Sequence, residues 1–264
     1  MFAAAAFKFG VFPFHMWIPD VYEGAPLSVT AFIATVSKLA AIALFIRLFG
    51  ETFLHATLAL GPVFFWLGAL SLLLGSTGAL LQKNMRRFLG YSTIANMGIV
   101  FIALGLGTAQ SYFSAFFYVV VYTAASLAAF GLLLSFNRDL VALDDLKGLH
   151  QSKPFTAFLF LILMLSFAGI PPLLGFDAKL LVIMSLIHQS QVGIAVVVVI
   201  LSVVSAAYAL RVIKAIYFDR PLKTEDFACK PSFGRVCVAL NALALLGFGL
   251  FPLPLISLVQ RVFM

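Results

Sequence analysis

The chain is a succession of long apolar runs separated by short polar stretches. The runs occupy roughly 2–18, 27–49, 57–82, 88–106, 111–136, 154–188, 192–218 and 236–259. A membrane-spanning helix needs about 20 mostly apolar residues, so the pattern predicts an all-α integral membrane protein with about eight transmembrane helices. The period-2 alternation of a transmembrane barrel is missing, and open sheet edges do not survive in lipid. Short connections predict antiparallel neighbours in a helical bundle.

Two runs are interrupted. Pro13 stands in VFPFHMW, and Gly169-Ile170-Pro171-Pro172, followed by Gly175, cuts the sixth run. Proline removes a backbone donor and clashes with the preceding turn, so both helices should split in mid-membrane. Unwound backbone at that depth is tolerated where protein buries it or where it lines a water-filled cavity. Three lysines also sit inside apolar runs: Lys8, Lys38 and Lys179. A charge at the bilayer centre costs roughly 2.5–3.5 kcal/mol on insertion scales, so each needs a partner or a wet cavity. Lys8 precedes the first break and Lys179 follows the second. A packing kink accounts for either break alone; two breaks, each with a lysine, fit the discontinuous helices of transport sites.

Composition agrees. The chain is 63% hydrophobic and 10% charged, with mean hydropathy +1.10, against about 25% charged residues in a soluble domain. The net charge of +7 would suggest nucleic acid in a soluble chain. Here most of the excess lies between apolar runs, which points to membrane orientation and to no nucleic acid. Connections one, three, five and seven share a side and carry ten basic residues near helix ends: Lys83, Arg86, Arg87, Arg138, Lys147, Lys153, Arg220, Lys223, Lys230 and Arg235. The other side has two, Arg47 and Arg261. The positive-inside rule places the basic face in the cytosol or matrix, and both termini on the electrochemically positive side. Of these, Lys83, Arg86, Arg87 and Arg220 read chiefly as anchors at helix ends, and Arg211 and Lys214, near the end of their run, are candidates to snorkel to the surface.

Cys229 and Cys237 are too few for a zinc or iron–sulfur site. The N-terminal MFAAAAFKFG reads as the opening of a spanning helix rather than a removable signal. No Gly-rich dinucleotide fingerprint, flavin motif or metal cluster occurs, so redox chemistry is expected elsewhere.

At FKFGVFPFHMWIPDVYEGAP the sequence resembles the antiporter-like subunits of proton-pumping NADH:quinone oxidoreductase (respiratory complex I). PDVYEGAP resembles subunit N in particular, known in mitochondria as NADH dehydrogenase subunit 2. ATVSKLA at 34–40, NMRRFLGYSTIANMG at 84–98, SFAGIPPLLGF at 166–176 and LPLISLV near the end extend the resemblance over essentially the whole chain. It implies a fourteen-helix fold of two inverted five-helix repeats, each with a broken helix and a central lysine. On that map the chain corresponds to helices seven to fourteen. Residues 1–56 would be the last two helices of the first repeat, 57–218 the second repeat, and 219–264 a loop and closing helix.

The resemblance assigns proton transfer to Lys8 and Lys179, with Lys38 as a relay. An ammonium holds its proton tightly in neutral water, but burial disfavours the charged form and a nearby carboxylate favours it. A buried lysine with a movable acidic partner can therefore load and release a proton. His15, after the first break, is a candidate for a water chain or a helix cap. Asp177 departs from the family's apolar residue; i and i+2 do not face each other on a regular helix, yet beside a break it is a candidate counter-ion to Lys179. Tyr91 and Ser126 are candidate water ligands. Asp20 and Glu23 are candidates for subunit contact or proton entry.

The family's first six helices have no counterpart here, which suggests a split subunit whose front half is a separate chain, or a truncated one. Expected partners are other complex I membrane-arm subunits and membrane lipids. NADH, FMN, iron–sulfur clusters and quinone are expected in partner subunits, with no cofactor in this chain. A split subunit points to the mitochondrial inner membrane, with the bacterial plasma membrane as the alternative. The competing functions are part of a stand-alone Mrp-type cation/proton antiporter, or a structural subunit that no longer pumps.

Overall fold

The computed structural model describes residues 2–136, 142–220 and 233–261. Arg138, Lys223, Cys229 and Lys230 lie outside the described residues. The fold is helical: α1 Phe2–Phe9, α2 Trp17–Gly24, α3 Leu27–Ala34, α4 Val36–Phe45, α5 Leu54–Leu81, α6 Met85–Leu104 and α7 Ala109–Leu134. The short α8 Leu149–Ser152 follows, then α9 Pro154–Ala168, α10 Leu174–His188, α11 Val192–Tyr217, α12 Phe233–Leu250 and α13 Leu253–Gln260. Among the described residues, five stretches are long and apolar enough to cross a membrane: Leu27–Gly50, Thr57–Leu81, Met85–Leu104, Ala109–Leu134 and Val192–Tyr217. A sixth is added if the bent pair α12 and α13 counts as one span. The two interrupted runs appear as the shorter pairs α1/α2 and α9/α10.

Three expectations need correction. The first run does not end near residue 18: after an unwound stretch its second half is α2, so Asp20 and Glu23 lie on a helix rather than in a loop. Pro19 sits in the first turn of α2, where its missing N–H costs nothing, and Pro26 precedes α3. The second run is not one uninterrupted helix. Thr35 separates α3 from α4 and its hydroxyl donates back to the carbonyl of Ala31 at 2.6 Å, a local bond that competes with the helix ladder. A π-helical segment, Ile46–Thr52, closes the run. The last run bends by 94° between Leu250 and Leu253, where Pro252 cannot continue the hydrogen-bond ladder.

Packing is densest at α5 against α6. A Cβ added to Gly98 of α6 would lie 2.6 Å from the carbonyl oxygen of Gly68 on α5; small residues let membrane helices approach this closely. α6 is buried along nearly its whole length, whereas α11 turns Val196, Ile200 and Val203 outward, as a lipid-facing helix would. Asn84 caps α6 by accepting from the N–H groups of Arg86 and Arg87, and a Thr108–Ser111 capping box starts α7.

Contacts join the first, third and fifth connections and the end of α11 at one end of the bundle. Arg87 at the start of α6 reaches Asp20 (2.9 Å) and Glu23 (2.8 Å) on α2. The N–H of Leu143 donates to the carbonyl of Lys83 at 2.7 Å, and His150 Nδ1 lies 2.9 Å from the carbonyl of Ile216. Arg211 does not snorkel outward: its guanidinium donates to the carbonyls of Leu80 and Gln82, capping the end of α5.

Candidate functional site: two lysine-capped helix ends

Both broken helices stop in the same way. Each ends at a glycine in the left-handed region, Gly10 and Gly169, both at φ +73°. There a residue without a Cβ pays no steric penalty. At the first break the N–H of Val11 donates to the carbonyl of Ala6 (3.1 Å) and that of Gly10 to Phe7 (3.0 Å). At the second, Ile170 donates to Leu165 (3.1 Å) and Gly169 to Ser166 (3.0 Å). This Schellman arrangement satisfies two of the terminal carbonyls of each helix and leaves the last two without a backbone donor.

A lysine occupies those last two carbonyls in each case. Lys38 Nζ donates to the carbonyls of Lys8 and Phe9, both at 2.8 Å. Lys179 Nζ donates to those of Ala168 (2.6 Å) and Phe167 (3.3 Å). A cation at a helix C-terminus meets the negative end of the macrodipole, so each ammonium is held by backbone oxygens and by the field of a half-helix. Both lysines are buried, Lys38 completely. Their origins differ: Lys179 belongs to α10, the second half of the same broken run, whereas Lys38 comes from α4.

The two lysines sit in tight frames. A Cβ at Gly169 would lie 2.5 Å from Lys179 Cδ and 3.0 Å from its Nζ. Lys38 Nζ stands 5.6 Å from the centre of the Trp17 ring, a cation–π distance, and the Trp17 indole N–H donates to the carbonyl of Phe7 at 3.2 Å. The unwound segment after α1 is anchored where the N–H of Phe12 donates to Ser71 Oγ at 2.7 Å.

The other candidates separate. Lys8 contributes its carbonyl to the cap while its side chain is exposed in this chain, beside a cleft of about 400 Å³ between α1 and α4. His15 is half-buried, with Nδ1 buried and without a hydrogen bond. Asp177 sits in the first turn of α10, where the positive end of the helix dipole favours a carboxylate. Its Oδ2 is buried and unpartnered, and the Lys179 ammonium donates to the carbonyls of Phe167 and Ala168 rather than to this carboxylate. Ser126 is buried with Oγ unpartnered, and the ring of Tyr91 lies against Gly78. Asp20 and Glu23 are engaged by Arg87.

Sequence reasoning missed a buried cluster of hydroxyls and amides at the bundle centre. Tyr122 Oη donates to Thr93 Oγ1 at 2.7 Å, with Tyr22 Oη 3.4 Å from the same oxygen. Tyr118 Oη donates to Asn96 Oδ1 at 2.8 Å, Asn96 Nδ2 reaches Ser92 Oγ at 3.3 Å, and Ser92 Oγ lies 3.2 Å from Tyr208 Oη. The signal available was spacing: Ser92–Asn96 and Tyr118–Tyr122 are both i, i+4 pairs, which share a helix face.

Comparison with known proteins gives these features a context. Residues 1–205 match the family described as NADH:quinone oxidoreductase/Mrp antiporter, transmembrane. NADH-quinone oxidoreductase subunit N of Acidithiobacillus ferrooxidans is 43% identical over 258 residues, covering 97% of this chain and 54% of that protein. The Laribacter hongkongensis subunit N is 41% identical, covering 95% and 52%. The chain thus spans about half the length of the curated relatives it matches. A chain of respiratory complex I from Thermus thermophilus superposes with TM-score 0.83 at 35% identity, covering 96% of this chain and 56% of its own. A chain of the Mrp complex from Dietzia sp. superposes with TM-score 0.87 at 21% identity, a likeness of fold alone. The relatives are bacterial, which favours a bacterial plasma membrane over the mitochondrial membrane expected above. The chain belongs to the NADH:quinone oxidoreductase/Mrp antiporter family of transmembrane proteins.

Proposed function

We propose that the chain is a membrane-arm subunit of a proton-translocating NADH:quinone oxidoreductase, and that Lys38 and Lys179 exchange the protons. The observation that carries this reading is the pair of equivalent lysine-capped helix ends. A lysine kept only as an anchor would extend towards water; these two point at broken backbone inside the bundle. Protonated, each has three N–H donors and a charge that the half-helix end favours. Release of a proton removes that charge and one donor, so proton occupancy and the hold on the half-helix are coupled. His15, with its buried Nδ1 after the first break, and Asp177, with its unpartnered oxygen in the first turn of α10, are groups suited to taking or returning protons through water.

The eight-span count, the five-helix repeat, the correspondence to the later helices of subunit N and the position of both termini on the electrochemically positive side belong to the same reading. The plasma membrane is the proposed location. NADH, flavin, iron–sulfur clusters and quinone are assigned to partner subunits, with electron transfer there driving proton movement here. The exposed side of Lys8, with its cleft, is suited to receiving further membrane helices, of this or another polypeptide, that bring the ammonium a carboxylate.

The test is purification of the chain from gently solubilised membranes, with its companions identified by mass spectrometry and NADH oxidation followed on a native gel. Recovery in a large NADH-oxidising particle supports the proposal. Recovery only with antiporter chains and without NADH oxidation replaces it with a cation/proton antiporter.

A further inference from the structure

The two breaks are built from the same parts with one difference. At the second, Lys179 belongs to α10, so the residue that caps α9 also carries the second half of its run. At the first, the capping lysine is on α4, and α2, the second half of that run, brings no lysine to the cap. What α2 brings is its first residue, Trp17. The indole N–H donates to the carbonyl of Phe7 at 3.2 Å, beside the bond that Gly10 makes to the same oxygen; a carbonyl has two lone pairs for two donors. The indole ring stacks on that of Phe7, with centroids 5.3 Å apart and planes 23° from parallel. Its face lies 5.6 Å from Lys38 Nζ, where the ring quadrupole attracts an ammonium. One half-buried side chain thus joins the end of α1, the lysine of α4 and the start of α2.

We propose that Trp17 is a positioning residue for Lys38, holding the protonated ammonium at the carbonyls of Lys8 and Phe9 and tying α2 to that charge. Its part in proton transfer rests on the reading that Lys38 exchanges protons; the tie between ring and ammonium does not. A cation–π contact exists only while the cation does. When Lys38 gives up its proton, the attraction of the ring face goes with the charge, while the indole N–H keeps its bond to Phe7. α2 is then held by that bond, by the stack on Phe7, and by Arg87 through Asp20 and Glu23. Proton occupancy of a lysine on α4 therefore changes the hold on both halves of the first broken run. At the second break the lysine needs no such intermediary, because its own backbone is the second half-helix.

The experiment replaces Trp17, in the assembled complex, with tryptophans carrying successively more fluorine on the benzo ring. It reads hydrogen–deuterium exchange of the α2 amides together with proton translocation into vesicles. Fluorine drains charge from the ring face, leaves the shape of the ring nearly unchanged and makes the indole N–H a better donor. The contacts to Lys38 and to the Phe7 carbonyl are thus pushed in opposite directions. Exchange in α2 should quicken and translocation should slow with each added fluorine, to a severalfold change at the end of the series. Trp66, 71% exposed on α5, takes the same analogues as the control and should change neither. Exchange in α2 that stays the same or slows across the Trp17 series overturns the tie, because a tryptophan acting through packing or its N–H alone responds in that way. A matching response at Trp66 overturns it as well. Quickened exchange with unchanged translocation, beside an impaired Lys38→Met, overturns the positioning role. Normal translocation by Lys38→Met instead rejects the proposed function of Lys38, while exchange in α2 still decides the tie.

Discussion

Lys38 donates its ammonium to the backbone carbonyl of Lys8 at 2.8 Å. The relation between these two lysines is thus side chain to backbone: one is the cap, the other supplies part of what is capped. Their substitutions should separate accordingly. Lys38→Met removes the donor from two terminal carbonyls and should destabilise the chain by about 1–3 kcal/mol. Lys8→Met leaves that carbonyl and its hydrogen bond intact and should change stability little. Thermal unfolding of the purified complex compares the two; equal losses would contradict the cap.

Gly169→Ala tests the frame around Lys179 without touching the lysine. The left-handed backbone costs a non-glycine residue about 1–2 kcal/mol, and the new methyl would stand 2.5 Å from Lys179 Cδ. Stability should fall and proton translocation with it. Gly193→Ala is the control: it lies in α11 with nothing within 4 Å of its added Cβ, and should be neutral or stabilise by about 0.4–1 kcal/mol. The two variants are compared in unfolding temperature and pumping rate.

The Arg87 cluster ties α2 to α6 through partly exposed groups, and exposed ion pairs contribute about 0.2–1 kcal/mol each. Arg87→Gln should therefore cost little, with Glu23 still accepting from Asn84 Nδ2 at 2.7 Å. The cost should shrink as salt rises. A large, salt-independent loss measured by unfolding at two ionic strengths would contradict this.

Asp144 and Lys147 form a 2.7 Å ion pair in the connection before α8. The hydrogen bond from the Lys147 ammonium holds the Asp144 carboxyl below its usual range, and Asp144 holds Lys147 above its own. A lowered carboxyl pKa contributes stability above the unfolded value, lost as pH falls through the folded one; a raised lysine pKa contributes below the unfolded value, lost as pH rises through the folded one. Between them the contribution is flat. The stability difference between wild type and Asp144→Asn should thus stay constant through neutral pH and vanish in strong acid. A difference that widens on acidification would contradict the assignment, and unfolding temperature against pH reads it.

The apolar pattern was enough to read an all-helical chain and the two breaks, and it singled out Lys38 and Lys179, which the fold buries, because each rests on local chemistry: run length, proline, glycine and an isolated charge. What Lys38 and Lys179 hold was not legible. Lys38 reaches carbonyls 29 and 30 residues away, and backbone acceptors leave no mark in a sequence. PDVYEGAP looked like a loop because it is polar, yet its proline falls where a helix start accepts one. The 94° bend at Pro252 and the inward turn of Arg211 depend on which neighbours pack against them. The tyrosine cluster was hidden because Tyr22, Tyr122 and Tyr208 lie on three helices that only the fold brings together.

The most direct measurement is the number of protons translocated per NADH oxidised by membranes containing the assembled complex, for wild type and for the double variant Lys38→Ala/Lys179→Ala at equal complex content. The lysine-capped helix ends predict a clear fall in that ratio. An unchanged ratio with both lysines removed would contradict the proposal that protons pass through them.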